Sequence, residues 1–495
     1  MLPPMYLGID LGTSAVKAVL TGAGGELLGQ ASTPLAISAP RPLWSEQDPQ
    51  DWWEAAARAV AALRAGHDLS AVRGIGLSGQ MHGAVLLDRA HRVLRPAILW
   101  NDGRSGAECR MLEAAQPRSR AITGNLAMPG FTAPKLLWVA RHEPDVFAAT
   151  RLVLLPKDWL RLKLTGEAVA EMSDAAGTLW LDVGCRRWSP EMLAATGMAE
   201  AHMPRLIEGT EASGRLRPEA AREWGLSPGI IVAGGAGDNA AGAAGIGCIS
   251  PGQAFVSLGT SGVVFVSDAS FLPRPERGVH AFCHCLPATW HRMSVILSAA
   301  ASLSWAARAF GAADEVALLA EVEQAGGGAS GRLIFLPYLS GERTPHNDPA
   351  ATGLFFGLTH SASRADLGRA VLEGVAFALA DGLEALEAED RRIDRLTVIG
   401  GGARSALWLR ILAASLGRTL ITVRGAEVGP ALGAARLARI ACGGGTPGEV
   451  CVALPIAAEI APDPRLREML LPRLALYRRL YPALRESFTA GVEAG

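Results

Sequence analysis

The sequence lacks almost everything that would mark a secreted, membrane-bound or nucleic-acid-binding protein. Its seven cysteines, at 109, 185, 248, 283, 285, 442 and 451, are scattered and odd in number. They form no disulfide framework and fit a reducing cytosol. No apolar run reaches the ~18 residues that a membrane span needs. The opening MLPPMYLGID has no basic n-region and no apolar h-region, so no signal peptide is read there. Met1 to Pro4 reads as a short leader, with Met5 as an alternative start. Charge of one sign is also missing: 47 basic and 48 acidic residues leave a net −1, without like-charge blocks. Bulk electrostatics therefore attract neither nucleic acid nor an anionic membrane, and a small anionic ligand would need local donors. The expected location is cytoplasmic.

Two kinds of phosphate chemistry are absent as well. There is no G-x-x-x-x-G-K-[ST], which argues against a P-loop enzyme. There is no H-R-D or D-F-G set, which argues against a protein kinase. Gly74-Ile75-Gly76-Leu77-Ser78-Gly79 does match G-x-G-x-x-G. Its glycines begin inside a strand-like run, and Gln80-Met81-His82-Gly83 opens no helix. A dinucleotide site needs the strand–turn–helix context, so the match is set aside.

What is present is ample apolar material. The chain is 49% hydrophobic and 19% charged, enough for large cores and too apolar for a disordered chain. Its 495 residues suggest two to four domains. Met5 to Leu20 alternates around Asp10-Leu11-Gly12-Thr13-Ser14 and reads as a hairpin with a tight Gly turn. The same pattern recurs at Ala254 to Val266 around Leu258-Gly259-Thr260-Ser261, about half a chain later. At the heads of two similar halves, the copies suggest a duplicated α/β domain. The boundary is expected near Gly245, in the small-residue stretch 233–252, giving domains 1–245 and 246–495.

Other elements are legible by the same rules. Asp48-Pro49 predicts an N-cap and first helical position for a helix through Arg64. Val72 to Leu77 and Val85 to Leu87 read as strands. Ser363 and Asp366 predict a capped helix with Leu367, Val371, Val375, Leu379, Leu383 and Leu386 on one face. Leu396 to Ile399 reads as a strand ending in Gly400-Gly401-Gly402, and Gly429 to Ala441 as an Ala/Gly-rich helix.

A kinase needs backbone N–H groups, hydroxyls and a metal-holding carboxylate near one point. The hairpin Asp10 to Lys17 supplies these types: a Gly turn, Thr13, Ser14, Lys17, and Asp10 placed to hold Mg²⁺. A plain surface turn would look the same. The second copy, at Gly259-Thr260-Ser261, weakens that bland view, because two such turns could clamp a triphosphate across a cleft.

These hairpins resemble the phosphate loops of the actin-like ATPase fold, shared by actin, hexokinase, heat-shock chaperones and sugar kinases. Gly130-Phe131-Thr132-Ala133-Pro134-Lys135-Leu136-Leu137-Trp138-Val139-Ala140-Arg141-His142 resembles the first signature of the FGGY carbohydrate kinases. Gly353-Leu354-Phe355-Phe356-Gly357-Leu358, with Asp366-Leu367 and Ala370-Val371-Leu372-Glu373, resembles the second. The likeness runs nearly end to end, through SGQMHG (78–83), ILWNDGR (98–104), GNLAMPGFTAPK (124–135), MSDAAGT (172–178), GDNAAGA (237–243) and LPYLSGERTPHND (336–348). The resemblance implies an α/β protein of two actin-like, ribonuclease H-like ATPase domains around a cleft that takes ATP, Mg²⁺ and a small sugar. It implies phosphoryl transfer from ATP to the 5-hydroxyl of a five-carbon ketose.

The resemblance also supplies roles. Asp238 matches the catalytic base, with Asn239 beside it; a helix N-cap would look alike. An Asp near its reference pKa of about 3.9 is a weak base, so orienting the hydroxyl is expected to matter more than deprotonation. Asp10 matches the essential N-terminal Asp and is assigned to Mg²⁺-ATP. Met81 and His82 match the sugar-contacting pair, and Trp100, Asn101 and Asp102 are expected to line the same pocket. Thr13, Ser14, Lys17, Gly259 and Thr260 are expected at the phosphates. Gly401, Gly402 and Ser405 match the adenosine loop. A homodimer is expected by family likeness.

His280, Cys283, His284, Cys285 and His291 have metal-ligand types. The two cysteines are only two apart and no second pair is near, so buried strand residues are the better reading. Three alternatives remain open. One is a relative acting on another ketose or polyol. Another is a sugar sensor without catalysis, for which no basic helical extension is seen. The third is a chaperone, for which too little chain follows Ala441 to build a peptide-binding domain.

Overall fold

The computed structural model describes residues 3–326, 331–387 and 392–493; Met1 and Leu2 of the expected leader lie outside them. The predicted hairpins are both present. The first pairs strands Met5–Leu11 and Ala15–Thr21, and the second pairs Ala254–Leu258 and Gly262–Asp268.

Each hairpin begins a sheet, and the two sheets repeat one topology. In the first, the order is Leu27–Pro34, Ala15–Thr21, Met5–Leu11, Val72–Gly79, Ile231–Ala233, Ala212–Arg215. In the second it is Trp290–Ile296, Gly262–Asp268, Ala254–Leu258, Arg395–Ile399, Thr419–Val423, Ile456–Ile460, with His280–Cys283 added at the outer edge. Both run antiparallel through the first three strands, parallel through the next two, and antiparallel at the last edge. The protein is thus an α/β fold of two actin-like units.

Local chemistry explains the helices. Asp48 caps helix Pro49–Gly66, its side chain accepting from the Gln50 amide at 2.9 Å. Ser363 and Asp366 form a reciprocal capping box on helix Arg364–Leu386. Trp52, Trp159 and Trp224 fill the core on the outer face of the first sheet. Helix Arg364–Leu386, helix Ala406–Leu416 and the C-terminal helix Pro464–Glu493 supply the core of the second.

The inner faces are covered by a crossed pair of helices. Helix Asp238–Ile246 follows the first sheet in sequence, yet its Ala243 and Ile246 pack on Phe255 and Phe265 of the second. Helix Pro430–Ala441 follows the second sheet, yet its Ala431, Leu432 and Ala435 pack on Val19 of the first. Gly245 therefore sits inside a helix, whose C-cap is Gly247. Arg436 ties the two helices by donating to the Ala244 carbonyl at 2.9 Å. The glycines of strand Val72–Gly79 have a packing explanation here. A Cβ on Gly76 would lie 1.8 Å from the Ala434 carbonyl oxygen, and one on Gly8 would lie 2.0 Å from that of Ala431. Bare backbone lets the helix lie directly on the sheet.

A third cluster sits above the first sheet. It joins Met81, Phe131, Trp138, Trp180 and Met192 to Phe282, Cys283, Met293 and Val295 from the second half. Both halves of the chain therefore contribute to this cluster.

Candidate active site

Strand Val72–Gly79 organises the site. On one side, Ser78 pairs with Asp10 and Gly79 with Leu11. On the other, Ser78 pairs with Ala236 and Gly79 with Gly237. Asp10 and Asp238 are thereby brought to the carboxyl end of one strand, the usual ligand position in parallel sheets. Gly237, not Asp238, is the N-cap; Asp238 is the first residue of helix Asp238–Ile246. Its Oδ1 accepts from the Asn239 amide at 2.7 Å and from Asn239 Nδ2 at 2.9 Å.

Burial raises the cost of ionising both carboxylates, and for Asp238 the charge of Asp10 raises it further. Burial pushes Asp238 up to about 7, and the charge of Asp10 adds to the rise. Burial pushes Asp10 up to about 6, partly countered by Ser78 and Lys17. Asp238 therefore takes up a proton more readily near neutral pH than a reference carboxylate does. Asp10 Oδ1 is buried, with no hydrogen-bond partner among the described residues. An unpaired, buried carboxylate oxygen beside a second carboxylate suits a hard divalent cation.

A polar chain behind Asp10 fixes the first loop. Trp100 Nε1 donates to Thr13 Oγ1 at 2.9 Å, and Thr13 Oγ1 donates to Gln80 Oε1 at 3.0 Å. Gln80 Nε2 donates to Gln47 Oε1 at 3.0 Å, and Trp52 Nε1 donates to the same oxygen at 2.9 Å. The Thr13 hydroxyl is thus held inside the protein, and Trp100 is held by it. Ser14 is exposed at the loop tip. Lys17, opposite Asp10 in the hairpin, donates to the Glu427 carbonyl at 2.9 Å and bridges to the other half.

The expected sugar pair lies beside Asp238. Met81 is buried and packs against the backbone of Gly177 and Gly237. His82 adopts a left-handed backbone, φ 70°. Its Nδ1 lies 2.7 Å from the Gly177 carbonyl oxygen. A carbonyl only accepts, so Nδ1 carries the proton and Nε2 is left as an acceptor. Burial drives His82 down to about 3, which keeps it neutral. Its carbonyl accepts from Lys135 Nζ at 2.8 Å, so the first signature grips this turn. Burial brings Lys135 itself down to about 7. Asn101 is exposed. Asp102 is enclosed, and its carboxylate is occupied by the Ser45 amide at 2.6 Å and by Arg104, so it braces the loop from behind.

The nucleotide-loop candidates form a second group. The Gly259 and Thr260 carbonyls accept from the amides of Ala300 and Ala299 at 2.8 and 2.9 Å, leaving the exposed Thr260 hydroxyl without a protein partner among the described residues. Gly400 and Gly402 pack on Leu258, the residue before Gly259. The expected adenosine loop and second phosphate loop are therefore neighbours, at the ends of parallel strands Arg395–Ile399 and Ala254–Leu258. Gly401 is exposed, and Ser405 caps helix Ala406–Leu416, its Oγ accepting from the Trp408 amide at 3.2 Å.

Sequence reasoning missed two features. The first is a buried charge cluster. Lys157 lies 2.7 Å from Asp158, 2.9 Å from Asp174 and 3.3 Å from Glu171, and Arg161 lies 2.5 Å from Asp158. It braces the backbone before Asp238: Glu171 accepts from Ser173 Oγ at 2.8 Å, and Ser173 Oγ accepts from the Gly237 amide at 3.0 Å. Asp174 is held well above the usual carboxylate range by burial. The second is Arg343, which reaches the pocket from the other half. MSDAAGT contains Ser173 and Asp174, and LPYLSGERTPHND contains Arg343, but nothing in their spacing announces a contact; Lys157, Asp158, Arg161 and Glu171 lie outside both stretches.

Among the described residues, no group of three His, Cys, Asp or Glu side chains is placed to hold a metal ion. His280 bonds Asn125, His284 meets Cys285, and His291 stacks on Phe265 at 4.5 Å. No helix among the described residues is long and apolar enough to cross a membrane.

Two carboxylates beside Met81 and His82, with glycine-rich loops on both sheets, fit a phosphotransferase of the actin-like class. Comparison with known families narrows it. Residues 5–245 match the N-terminal domain of the FGGY family of carbohydrate kinases, and residues 254–442 match its C-terminal domain. The chain belongs to that family and is a sugar kinase. Among its relatives is the xylulose kinase of Escherichia coli (strain K12), 54% identical over 97% of this chain and 99% of the relative. A solved xyloylose kinase from Brucella ovis superposes with a TM-score of 0.93 at 54% identity, covering 97% of this chain and 99% of that one. The solved xylulose kinase of Rhodospirillum rubrum gives 0.89 at 30% identity, over 98% and 100%.

Proposed function

We propose that the protein transfers the γ-phosphoryl group of ATP to the 5-hydroxyl of D-xylulose, giving D-xylulose 5-phosphate. The observation that carries this is the Asp10–Asp238 pair at the end of strand Val72–Gly79, beside the neutral His82. Near-full-length likeness to proteins named xylulose kinase supports the choice of sugar. A five-carbon 2-ketose closes its furanose ring through the 5-oxygen. A kinase acting there must take the open-chain ketone.

Asp238 accepts the proton from the attacking hydroxyl, and its raised basicity suits work near neutral pH. His82 Nε2 accepts from a sugar hydroxyl, while Met81 and Trp100 offer apolar faces. Thr13, Ser14, Gly259 and Thr260 meet the phosphates, and Gly401, Gly402 and Ser405 the adenosine. Lys17 sits near enough to Asp10 to temper its charge. Asp10, with Asp238 nearby, would hold Mg²⁺, which supplies neutralising charge for the phosphates. The division near residue 245, a homodimer and a cytoplasmic location belong to the same proposal.

The test is ADP release with Mg²⁺-ATP across a panel of ketoses and polyols. Preference for D-xylulose supports the proposal. Preference for another sugar keeps the kinase and overturns the substrate. Absence of sugar-stimulated release from folded, ATP-binding protein favours a sensor.

A further inference from the structure

Arg343 belongs to the second half of the chain but serves the pocket of the first. Its backbone is clamped to strand Trp290–Ile296. Thr344 N donates to the Val295 carbonyl at 3.0 Å, and the Arg343 amide donates to Glu342 Oε1 at 2.7 Å. The guanidinium reaches His280 and Gly130. Nη1 lies 3.4 Å from His280 Nε2, and Nη2 is 4.0 Å from where a Cβ on Gly130 would stand. The Phe131 ring lies 4.7 Å from His82 and 5.5 Å from His280, so these groups form one cluster.

The proton positions along this wall follow from who can donate. A guanidinium only donates, so His280 Nε2 is the acceptor and Nδ1 carries the proton. Nδ1 then donates to Asn125 Oδ1 at 2.9 Å. Asn125 Nδ2 donates in turn to the Ala281 and Thr123 carbonyls at 2.9 and 2.8 Å. His280 is thereby set to hold Arg343, not the reverse.

Glu342, next to it in sequence, is the carboxyl whose charge acts on Arg343. Among the described residues no carboxylate lies within 4 Å of its guanidinium. The adjacent Glu342 carboxyl turns to the Leu297 and Arg343 amides, and burial pushes it up to about 8. A cation in so enclosed a place is costly unless acceptors meet it. Arg343 keeps partial exposure.

The pocket thus offers a donor-only group, Arg343, and an acceptor-only group, His82 Nε2. An open-chain ketose offers hydroxyls, which donate or accept, and one carbonyl oxygen, which only accepts. We propose that Arg343 recognises the carbonyl oxygen of the open-chain ketose and so sets a preference for ketoses over alditols of the same carbon skeleton. This rests on the proposed ketose kinase activity.

The test compares D-xylulose with xylitol and D-arabinitol, the two alditols made by reducing its carbonyl. Dissociation constants are measured by calorimetry, or as inhibition constants against D-xylulose turnover where binding is weak. Arg343→Ala should weaken D-xylulose about ten- to a hundredfold. The alditols should change by less than about threefold, and KM for ATP should hold. Arg343→Gln, which keeps N–H donors without charge, should recover part of the loss; it also carries the comparison if Arg343→Ala does not fold. Equal losses for ketose and alditols, or no loss for either, would overturn the role. A wild type that phosphorylates no ketose would instead overturn the proposed function.

Discussion

Replacing Asp238 by Asn should sharply reduce turnover and stabilise the ligand-free protein at the same time. The carboxyl is pushed from 3.8 up to about 7, chiefly by burial and then by Asp10. At about 1.4 kcal/mol per unit, ionising it in the fold costs at most roughly 4 kcal/mol. Asp238 keeps some exposure, so about 1–3 kcal/mol is the expected effect. The folded state holds this proton more tightly than the unfolded chain. Its stability therefore falls as pH rises from about 4 to about 7, and the loss is complete above that. The replacement amide carries no such charge, while its side-chain oxygen still accepts from the Asn239 amide. Thermal unfolding should match wild type near pH 4 and rise about 2–8 °C above it at pH 8. Turnover should fall about 10²–10⁴-fold. An equal Tm difference at both pH values, or a destabilised variant at pH 8, would refute the buried-pair account.

Asp10→Asn removes the charge that helps raise Asp238, so the pH-dependent drop in ligand-free stability should move below its wild-type position, read from the same melts. His82→Ala should raise KM for the sugar about tenfold or more and leave KM for ATP within twofold; equal changes in both would place His82 outside the pocket. Gly76→Ala should destabilise by about 1–3 kcal/mol or more, because its Cβ would strike helix Pro430–Ala441, whereas Gly66→Ala, with open space around it, should not. Lys157→Met leaves Asp158, Glu171 and Asp174 without their shared cation and should cost about 3–5 kcal/mol in denaturant unfolding.

Local rules reached the elements whose signals are local. Alternation around a Gly turn foretold both hairpins, and Asp48-Pro49 and Ser363–Asp366 foretold their helices. Those signals arise within a few residues and need no partner. The crossed helices were not legible, because helix Pro430–Ala441 finds its sheet more than 350 residues away, at Gly76 and Gly8. The same limit governed the site. Residue type and family pattern picked out Asp10, His82 and Asp238. They did not reveal that Thr13 and Trp100 bond each other, that Arg104 occupies Asp102, or that Lys17 bridges to Glu427. Those are properties of neighbours brought together by the fold. So is the raised basicity of Asp238, which depends on burial and on a second carboxylate. Arg343 lies in a stretch that matched the family, but its charge acquires meaning only beside His280 and the buried Glu342.

The central claim is transfer of the ATP γ-phosphoryl group to the 5-hydroxyl of an open-chain ketose. Phosphorus–carbon coupling in the product from uniformly carbon-13-labelled D-xylulose tests it directly. The account predicts coupling at carbon 5, with one ADP formed for each sugar phosphorylated. Phosphate on the 1-hydroxyl, or release of inorganic phosphate in place of a sugar phosphate, would contradict it.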